Sequence, residues 1–426
     1  MTLATPSVDT AGKPKWRTAL SFIGPGYLVA TGYMDPGNWA TAISGGAAFG
    51  YKLLFVVLFA NVMAIILQSL AARLGLGTNL DLAQTCRHAF PKPVAWGLWV
   101  LAELAICATD LAEVIGTAIG LNLLFAIPIL AGTALTATDV LLVLAMQRLG
   151  FRWIEGFVMV MMLLIAGCFV AQMLLAHPDW RAVAGGFVPN RELLGQPAML
   201  FVAVGIVGAT VMPHNLYLHS GIVHTTRNIG ASEPERKTAL RLTDLDSAVA
   251  LTMAALINLS LIVIAAAVFH ANGQFGIADL QQAYVLIAPL IGAPQAATLF
   301  AVALLACGFN STITATLSGQ MVMEGFLQIK LPAWARRLAT RALAITPALL
   351  IVGILGEASI GRLLVLSQVV LSMQLPFAML PLIYFTAQRE RMGGLVAPRW
   401  LTVLAAASAA IIISLNLFLI GQMIWA

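Results

Sequence analysis

The chain of 426 residues is 60% hydrophobic and only 10% charged, whereas a soluble domain carries about 25% charged residues. This composition excludes a soluble globular protein and predicts a polytopic membrane protein. The net charge of +5 is what a surplus of Lys and Arg in cytoplasmic loops produces, so we expect no nucleic-acid partner.

Residues 1–17 are polar and lack the apolar core of a cleavable signal peptide, so they predict a short cytoplasmic tail. The four cysteines are scattered, and three of them lie in apolar segments, which indicates neither a disulfide framework nor a CxxC metal site. The chain has no GxxxxGK[ST] and no HExxH motif. ATP-driven transport by this chain and an intramembrane zinc protease are therefore both disfavoured.

About eleven apolar segments reach the ~20 residues that a spanning helix needs. Within the eighth segment we expect part of 283–293 to be an extracellular loop or an interfacial piece. The segments are 18–48, 50–72, 94–121, 123–146, 153–176, 198–224, 243–270, 283–326, 338–356, 362–386 and 400–425.

The distribution of basic residues predicts the orientation of these segments. With the N-terminus inside and the sides alternating, 19 of the 23 Lys and Arg residues fall on the inside and 4 on the outside. Cytoplasmic loops carry such an excess of Lys and Arg. We therefore expect a cytoplasmic N-terminus and a C-terminus on the outside.

The first apolar segment is interrupted by Met34-Asp35-Pro36-Gly37-Asn38. Pro36 removes a backbone donor and clashes with the preceding turn, and Gly37 relaxes the chain further. In hydrocarbon such a break is tolerated only where the freed backbone groups are buried in protein or line a wet cavity. A carboxylate at this depth indicates a functional site. The alternative is a kinked helix in which Asp35 is paired structurally.

The sixth segment, 198–224, is interrupted in the same way by Met212-Pro213-His214-Asn215. Both breaks have the form X-Pro-X-Asn, with a potential ligand directly before the proline. The two prolines are 177 residues apart, close to half of the chain that remains after the termini are trimmed. Two Pro-interrupted segments in corresponding positions of two halves indicate the binding site of a transporter.

The third segment carries Glu103, Asp110 and Glu113 on one helix face. Ionised carboxylates in hydrocarbon are costly, so these groups must line a wet path, pair with cations or share protons. One interpretation is a proton relay, in which burial and like charge raise a pKa into the working range. The other is a structural ion-pair network with arginines of other spans. Arg341, at the start of the ninth segment, is a plausible cationic partner.

The sixth segment also contains His214 and His219, which are candidates for proton coupling because histidine titrates near neutral pH. A lone buried histidine is more often a satisfied hydrogen-bond partner, and for His219 both interpretations remain open. Met212, Asn215 and His219 have the spacing of one helix face, and His214 points elsewhere. In the tenth segment Gln368 could supply a carbonyl oxygen to a central cavity.

The two breaks together offer only electron donors, which suits a cation. They are the Asp35 carboxylate, the Asn38 amide oxygen, the Ala209 carbonyl and the Met212 thioether. Mg²⁺ and Ca²⁺ take oxygen ligands and gain nothing from sulfur, whereas softer transition metals accept it, and Mn²⁺ and Fe²⁺ bind weakest in the divalent series. The alternative for Met212 is a packing role, since the chain has 17 methionines.

The two breaks resemble the paired signature of the Nramp family of divalent-metal transporters. Three further runs resemble the family, so that the likeness covers nearly the whole chain: Ala108-Thr-Asp-Leu-Ala-Glu-Val-Ile-Gly116, Ser311-Thr-Ile-Thr-Ala-Thr-Leu-Ser-Gly-Gln320 and Ser367-Gln-Val-Val-Leu-Ser-Met-Gln-Leu-Pro-Phe377. One departure is Gly308-Phe309-Asn310, where Gly-Gln-Ser is expected in the family.

The resemblance implies an all-α membrane protein with a LeuT-like fold. This fold has two inverted five-helix repeats, 18–176 and 198–386, with broken helices 1 and 6, followed by an eleventh transmembrane helix in 400–426. The implied function is not enzymatic. It is proton-coupled import of Mn²⁺, and also of Fe²⁺, Co²⁺ and Cd²⁺, across a bacterial plasma membrane. The metal is the substrate, so no resident cofactor is expected. Because one chain holds a complete two-repeat unit, we expect a monomer in the lipid bilayer.

The resemblance also assigns roles to residues. The implied metal ligands are Asp35, Asn38, the Ala209 carbonyl and Met212, with Gln368 approaching the ion in occluded states. The implied proton-handling positions are His214, Glu103, Asp110, Glu113 and Arg341.

Two other transporter classes remain as alternatives. An amino-acid or other organic-solute symporter on the same fold is disfavoured because Asp35 would repel a substrate carboxylate. A magnesium-transporting relative is disfavoured because it would lack the Met212 sulfur. An enzyme would need a nucleophile–base pair or a metal motif that the sequence does not show, and broken helices in matched halves suit alternating access better than a fixed pore.

Overall fold

A computed structural model describes residues 24–136, 149–225, 232–277, 279–329 and 360–425, together with isolated positions between these ranges. The described residues form α-helices, short 3₁₀ turns and connections, with no β-strand. The helices are α1 Pro25–Gly32, α2 Pro36–Phe49, α3 Leu54–Thr78, α4 Leu82–Ala89, α5 Lys92–Phe125, α6 Ile129–Thr136, α7 Phe151–Ala176, α8 Trp180–Gly185, α9 Glu192–Gly195, α10 Pro197–Val211, α11 Pro213–Thr225, α12 Glu233–Val268, α13 Leu280–Ile291, α14 Gln295–Leu327, α15 Ile360–Thr386, α16 Arg389–Met392 and α17 Arg399–Trp425.

Seven helical stretches among the described residues are long and apolar enough to cross a membrane. Helix α5, with 34 residues, also has sufficient length, since a helix rises about 1.5 Å per residue. The prediction of a polytopic all-α membrane protein is therefore confirmed. The predicted tail 1–17, Arg341, a smaller part of the predicted span 123–146 and most of the predicted span 338–356 lie outside the described residues.

The first predicted break lies between α1 and α2. Helix α1 closes with tightened turns, in which the amides of Tyr33 and Met34 bond to carbonyls only three residues earlier, at 3.1 and 3.2 Å. Asp35 then caps α2, because its side chain accepts a hydrogen bond from the Asn38 amide. Pro36 occupies the first helical position, where its missing N–H costs nothing.

The second predicted break lies between α10 and α11. Helix α10 ends at Val211, and Met212 adopts φ +23° and ψ 108°, in a region that a residue with a long side chain rarely occupies. Pro213 begins α11. A backbone outlier of this kind is held in place only by its surroundings, and such outliers cluster at functional sites.

The four half-helices are enclosed by longer helices. Helix α12 packs against α1, α2 and α3, while α15 packs against α10, α5 and α2. Helix α11 lies against α3 and α14. Both breaks are therefore buried within protein, which satisfies the condition that hydrocarbon imposes on irregular backbone.

Three predicted boundaries differ from the structure. The window 283–326 is divided at Gly292–Pro294 into the 12-residue helix α13 and the long helix α14, so the expected extra piece is a helix too short to span a bilayer. Helix α12 begins ten residues before the predicted 243, in a charged stretch that hydropathy alone does not select. Helix α4 was not predicted, although Asp81 and Gln84 form a capping box at its start.

Candidate metal-binding site at the two helix breaks

Asp35 is the single carboxylate at the first break, and its side chain is fully buried. One carboxylate oxygen accepts a hydrogen bond from the backbone N–H of Asn38 at 2.9 Å. The other accepts one from Gln368 Nε2 on α15 at 3.0 Å. Both partners are neutral donors. They fix the orientation of the Asp35 carboxylate, but they do not neutralise its negative charge when it is ionised.

The carbonyl groups of the first break are satisfied by side chains. The Tyr33 carbonyl accepts hydrogen bonds from Asn38 Nδ2 at 2.6 Å and from Asn258 Nδ2 on α12 at 2.9 Å. The Met34 carbonyl accepts one from the Cys307 thiol on α14. Since the side-chain nitrogen of Asn38 donates to Tyr33, the side-chain oxygen Oδ1 of Asn38 is left available for a ligand.

The second break provides the Ala209 carbonyl and the Met212 thioether. Pro213 has no amide hydrogen, so the Ala209 carbonyl, four residues earlier, lacks the donor that a regular helix would supply. The Met212 side chain is fully buried and packs with Ala105 of α5 and Leu371 of α15. This break therefore presents one carbonyl that has lost its regular helical donor and one thioether, on backbone bent away from helical geometry.

Helix α15 brings the two breaks together. Gln368 reaches Asp35 with its side chain, while its backbone carbonyl lies against α10 so closely that a Cβ on Gly208 would be 2.0 Å from it. Only glycine permits this approach. The five predicted metal residues thus lie on elements in direct contact, and each is at most 2% exposed: Asp35, Asn38, Ala209, Met212 and Gln368.

Two buried amide oxygens near the breaks, Gln368 Oε1 and Asn215 Oδ1, accept no hydrogen bond from any described residue. Buried polar atoms normally have a partner, so these oxygens favour a polar occupant. No group of three or more His, Cys, Asp or Glu side chains that could hold a metal occurs among the described residues. The candidate site is therefore one carboxylate surrounded by neutral oxygen and sulfur donors, which fits a cation that is bound and released.

The predicted carboxylate face of α5 is only partly buried. Asp110 and Glu113 are 2% and 1% exposed, and Glu113 accepts a hydrogen bond from Thr312 of α14 at 3.3 Å. Glu103 is half-buried and accepts a hydrogen bond from Trp99 Nε1 at 3.2 Å. The environment of Glu103 therefore differs from that of the two buried carboxylates.

The two histidines of α11 lie in different surroundings. His214 Nδ1 is 3.4 Å from the hydroxyl of Thr109, the neighbour of Asp110 on α5, and its Nε2 has no partner among the described residues. His219 is engaged at both ring nitrogens, with Gln68 at 2.9 Å and Ser247 at 3.3 Å. The contacts of His219 are those of a satisfied structural histidine, whereas His214 keeps one ring nitrogen unused.

The spacing of Met212 and Asn215 predicted a shared face, and in the structure the two side chains are in contact at 3.7 Å. Sequence reasoning missed Asn258 and Cys307, which donate to the first break. Each is a polar or sulfur-containing residue in an apolar segment. That signal alone is weak, because buried polar side chains away from the breaks, such as Asn61 and Gln172, look the same in sequence.

Two interrupted helices, buried in the protein and bridged by α15, are the architecture of membrane transporters built on discontinuous helices. The chain belongs to the Nramp family, since the family described as "Natural resistance-associated macrophage protein-like" matches residues 26–422. It is 58% identical over 406 residues to a divalent metal cation transporter MntH of Brucella suis, covering 95% of this chain and 89% of the relative. An MntH protein of Agrobacterium fabrum is 56% identical over 405 residues, with 95% and 88% covered.

Solved structures of other transporters share the fold of this chain. A mutant of the Eremococcus coleocola manganese transporter superposes with a TM-score of 0.88 at 38% identity, covering 97% of this chain and 89% of that chain. A nucleobase-cation-symport-1 family transporter, with a TM-score of 0.61 at 17% identity and 95% and 92% covered, shares the fold alone. The predicted LeuT-like fold is confirmed.

Proposed function

We propose that this protein is a secondary active importer of divalent transition metal ions, with Mn²⁺ as the principal substrate and Fe²⁺, Co²⁺ and Cd²⁺ as further substrates. Relatives named as divalent metal cation transporters and a solved manganese transporter support the metal class. The observation that carries the proposal is the pairing of a buried carboxylate on one break, Asp35, with a buried thioether on the other, Met212.

Each side chain at the breaks has a distinct task in this proposal. Asp35 supplies the charge that attracts the ion, and Asn38 and the Ala209 carbonyl supply neutral oxygens. Gln368 donates to Asp35 in the structure, and an arriving cation would compete for the same carboxylate oxygen. Met212 discriminates, because sulfur favours transition metals over Mg²⁺ and Ca²⁺, which take only oxygen ligands.

Alternating access fits the burial of the site. All five candidate ligands are at most 2% exposed, so an ion bound there would be cut off from water on both sides. Entry and release then require the half-helices to move, and the breaks are the points at which α1 can move separately from α2, and α11 separately from α10. Transporters on broken helices work by such movements around a fixed site.

Proton coupling is the next part of the proposal. The buried carboxylates Asp110 and Glu113 and the imidazole of His214 lie on α5 and α11, and the Thr109–His214 contact links these two helices. We assign proton handling to these three groups, with Glu103 and Arg341 as further members of the route. The two hydrogen bonds of His219 favour a structural role for that residue instead. Symport with protons would let the membrane potential and the pH gradient drive metal uptake.

The setting of the protein follows from the same reasoning. We place it in a bacterial plasma membrane with a cytoplasmic N-terminus and an external C-terminus, as the distribution of Lys and Arg indicates. We further propose that it acts as a monomer, with repeats at 18–176 and 198–386 and a last helix in 400–426.

Uptake into proteoliposomes tests the proposal. Mn²⁺ entry is followed with and without a tenfold excess of Mg²⁺ or Ca²⁺, for the native chain, Asp35→Asn and Met212→Ala. We expect native uptake to resist the excess, to increase with an inward proton gradient and to be lost in Asp35→Asn. In Met212→Ala the resistance to Mg²⁺ should disappear. No Mn²⁺ entry by the native protein, or Mg²⁺ carried equally well by the native protein and Met212→Ala, would refute the proposal.

A further inference from the structure

Asn215 lies three residues beyond Met212 at the start of α11, and its side chain is fully buried. Its side-chain nitrogen Nδ2 contacts one atom of half-helix α1 and one atom of the second break. One is the Val29 carbonyl oxygen of α1 at 3.3 Å, and the other is the Met212 sulfur at 3.7 Å. One side chain therefore joins the sulfur of the second break to the half-helix before the first.

The Val29 carbonyl needs this donor. In a regular helix the Tyr33 amide would donate to it, but that amide bonds to the Ala30 carbonyl at 3.1 Å instead. An unpaired buried carbonyl is costly, and Asn215 removes the cost. Gly32 makes room for the contact, since a Cβ there would be 2.3 Å from Asn215 Nδ2.

The orientation of the Asn215 amide is fixed by its partners. A carbonyl oxygen and a thioether sulfur can only accept hydrogen bonds, so the NH₂ group must face both of them. The Asn215 amide oxygen is then directed elsewhere, and it is buried without a partner among the described residues.

We propose that Asn215 is a positioning residue that holds the Met212 sulfur in one orientation for the transported ion and ties that orientation to half-helix α1. The proposal rests on the proposed function, in which Met212 is a metal ligand. A methionine side chain has three rotatable bonds and adapts readily to its surroundings. A hydrogen bond to one sulfur lone pair restricts it and leaves the second lone pair for the metal.

The ion whose binding depends most on the Met212 sulfur should lose the most affinity when Asn215 is removed. Cd²⁺ is softer than Mn²⁺, so the Asn215→Ala exchange should weaken Cd²⁺ uptake more than Mn²⁺ uptake. Loss of a partner that orients a metal ligand typically costs 10–100-fold in metal affinity. We expect the KM for Cd²⁺ to rise about tenfold and the KM for Mn²⁺ to rise less.

The test is a double-mutant cycle in proteoliposomes. The ratio of kcat/KM for Cd²⁺ to kcat/KM for Mn²⁺ is measured for the native chain, Asn215→Ala, Met212→Ala and the double variant. If Asn215 acts through the sulfur, each single exchange lowers the ratio and the second exchange lowers it no further. The ratio does not depend on the amount of folded protein, and Asn215→Ser replaces the alanine variant if that variant does not accumulate.

Asn258→Ala is the matched control, because Asn258 is also a buried amide that donates to the first break, at Tyr33. It should lower uptake of both ions and leave their ratio unchanged. The inference would be overturned by an unchanged ratio in the Asn215 variant, or by independent effects of the two exchanges. In either case Mn²⁺ uptake by the native chain would still support the proposed function. A native chain that carries neither ion would overturn both.

Discussion

Helix α5 provides a sharp test of how the first break is packed. A Cβ added at Gly116 would lie 2.1 and 2.2 Å from Cβ and Cγ of Pro36, where ordinary contacts are 3.4–4 Å. The proline ring cannot rotate away, because its φ is fixed, so Gly116→Ala must push α5 and α2 apart by more than an ångström. Overpacking of this kind costs roughly 1–3 kcal/mol.

Gly97→Ala, in the same helix, is the matched control, since a Cβ at Gly97 meets nothing within 4 Å. Both variants gain the helix propensity of alanine, about 1 kcal/mol over glycine. The difference in stability between the two variants therefore measures the clash with Pro36 alone. In detergent, monitored by size-exclusion chromatography after heating, Gly116→Ala should show a midpoint at least about 2 °C below that of Gly97→Ala. Its Mn²⁺ uptake should also be several-fold lower, because Pro36 follows Asp35 directly. Equal midpoints for the two variants would show that the break is not packed as described.

Three further exchanges test individual contacts with the same thermal assay. Burial raises the pKa of Asp81, which lies outside the spanning segments, to about 7, so the neutral form favours folding and native stability should fall as the pH rises from about 4 to about 7. Asp81→Asn should remove that part of the pH dependence while preserving the helix cap, and identical pH profiles would contradict this. Thr314→Val removes a hydroxyl that is 2.5 Å from the Thr31 hydroxyl and should cost about 1 kcal/mol; an unchanged midpoint would show that the contact contributes nothing. Cys307→Ala deprives the Met34 carbonyl of its donor, whereas Cys307→Ser keeps a donor. The alanine variant should therefore have the lower midpoint of the two, and the reverse order would refute the assigned hydrogen bond.

The positions of the two breaks were predictable because proline acts locally. A proline removes a backbone donor in any context, so Pro36 and Pro213 reveal helix breaks within their apolar segments from the sequence alone. Helix α4 was equally predictable, since the Asp81–Gln84 capping box is a local signal, although hydropathy alone does not reveal it. The division of 283–326 depends on Gly292 and Pro294, and hydropathy conceals it because the segment is apolar on both sides of these residues.

The side chains that hold the breaks could not be predicted, because their roles depend on contacts far apart in the chain. Asn258 and Cys307 reach the carbonyls of Tyr33 and Met34 across 225 and 273 positions. Nothing in the local sequence around either residue distinguishes it from polar residues that bond within their own helix, such as Thr252, which donates to the carbonyl four positions earlier.

These long-range donors explain how the first break can be both irregular and well defined. Three of the carbonyls around it accept from side chains of other helices: Val29 from Asn215, Tyr33 from Asn258 and Met34 from Cys307. In hydrocarbon each unsatisfied group would cost several kcal/mol, so the donors stabilise one geometry of the break against others. Because these donors lie on α11, α12 and α14, any movement of α1 away from these helices exchanges hydrogen bonds next to Asp35, the proposed metal ligand. A cation that replaces or strengthens these contacts can therefore shift the balance between closed and open states through its differential affinity for them.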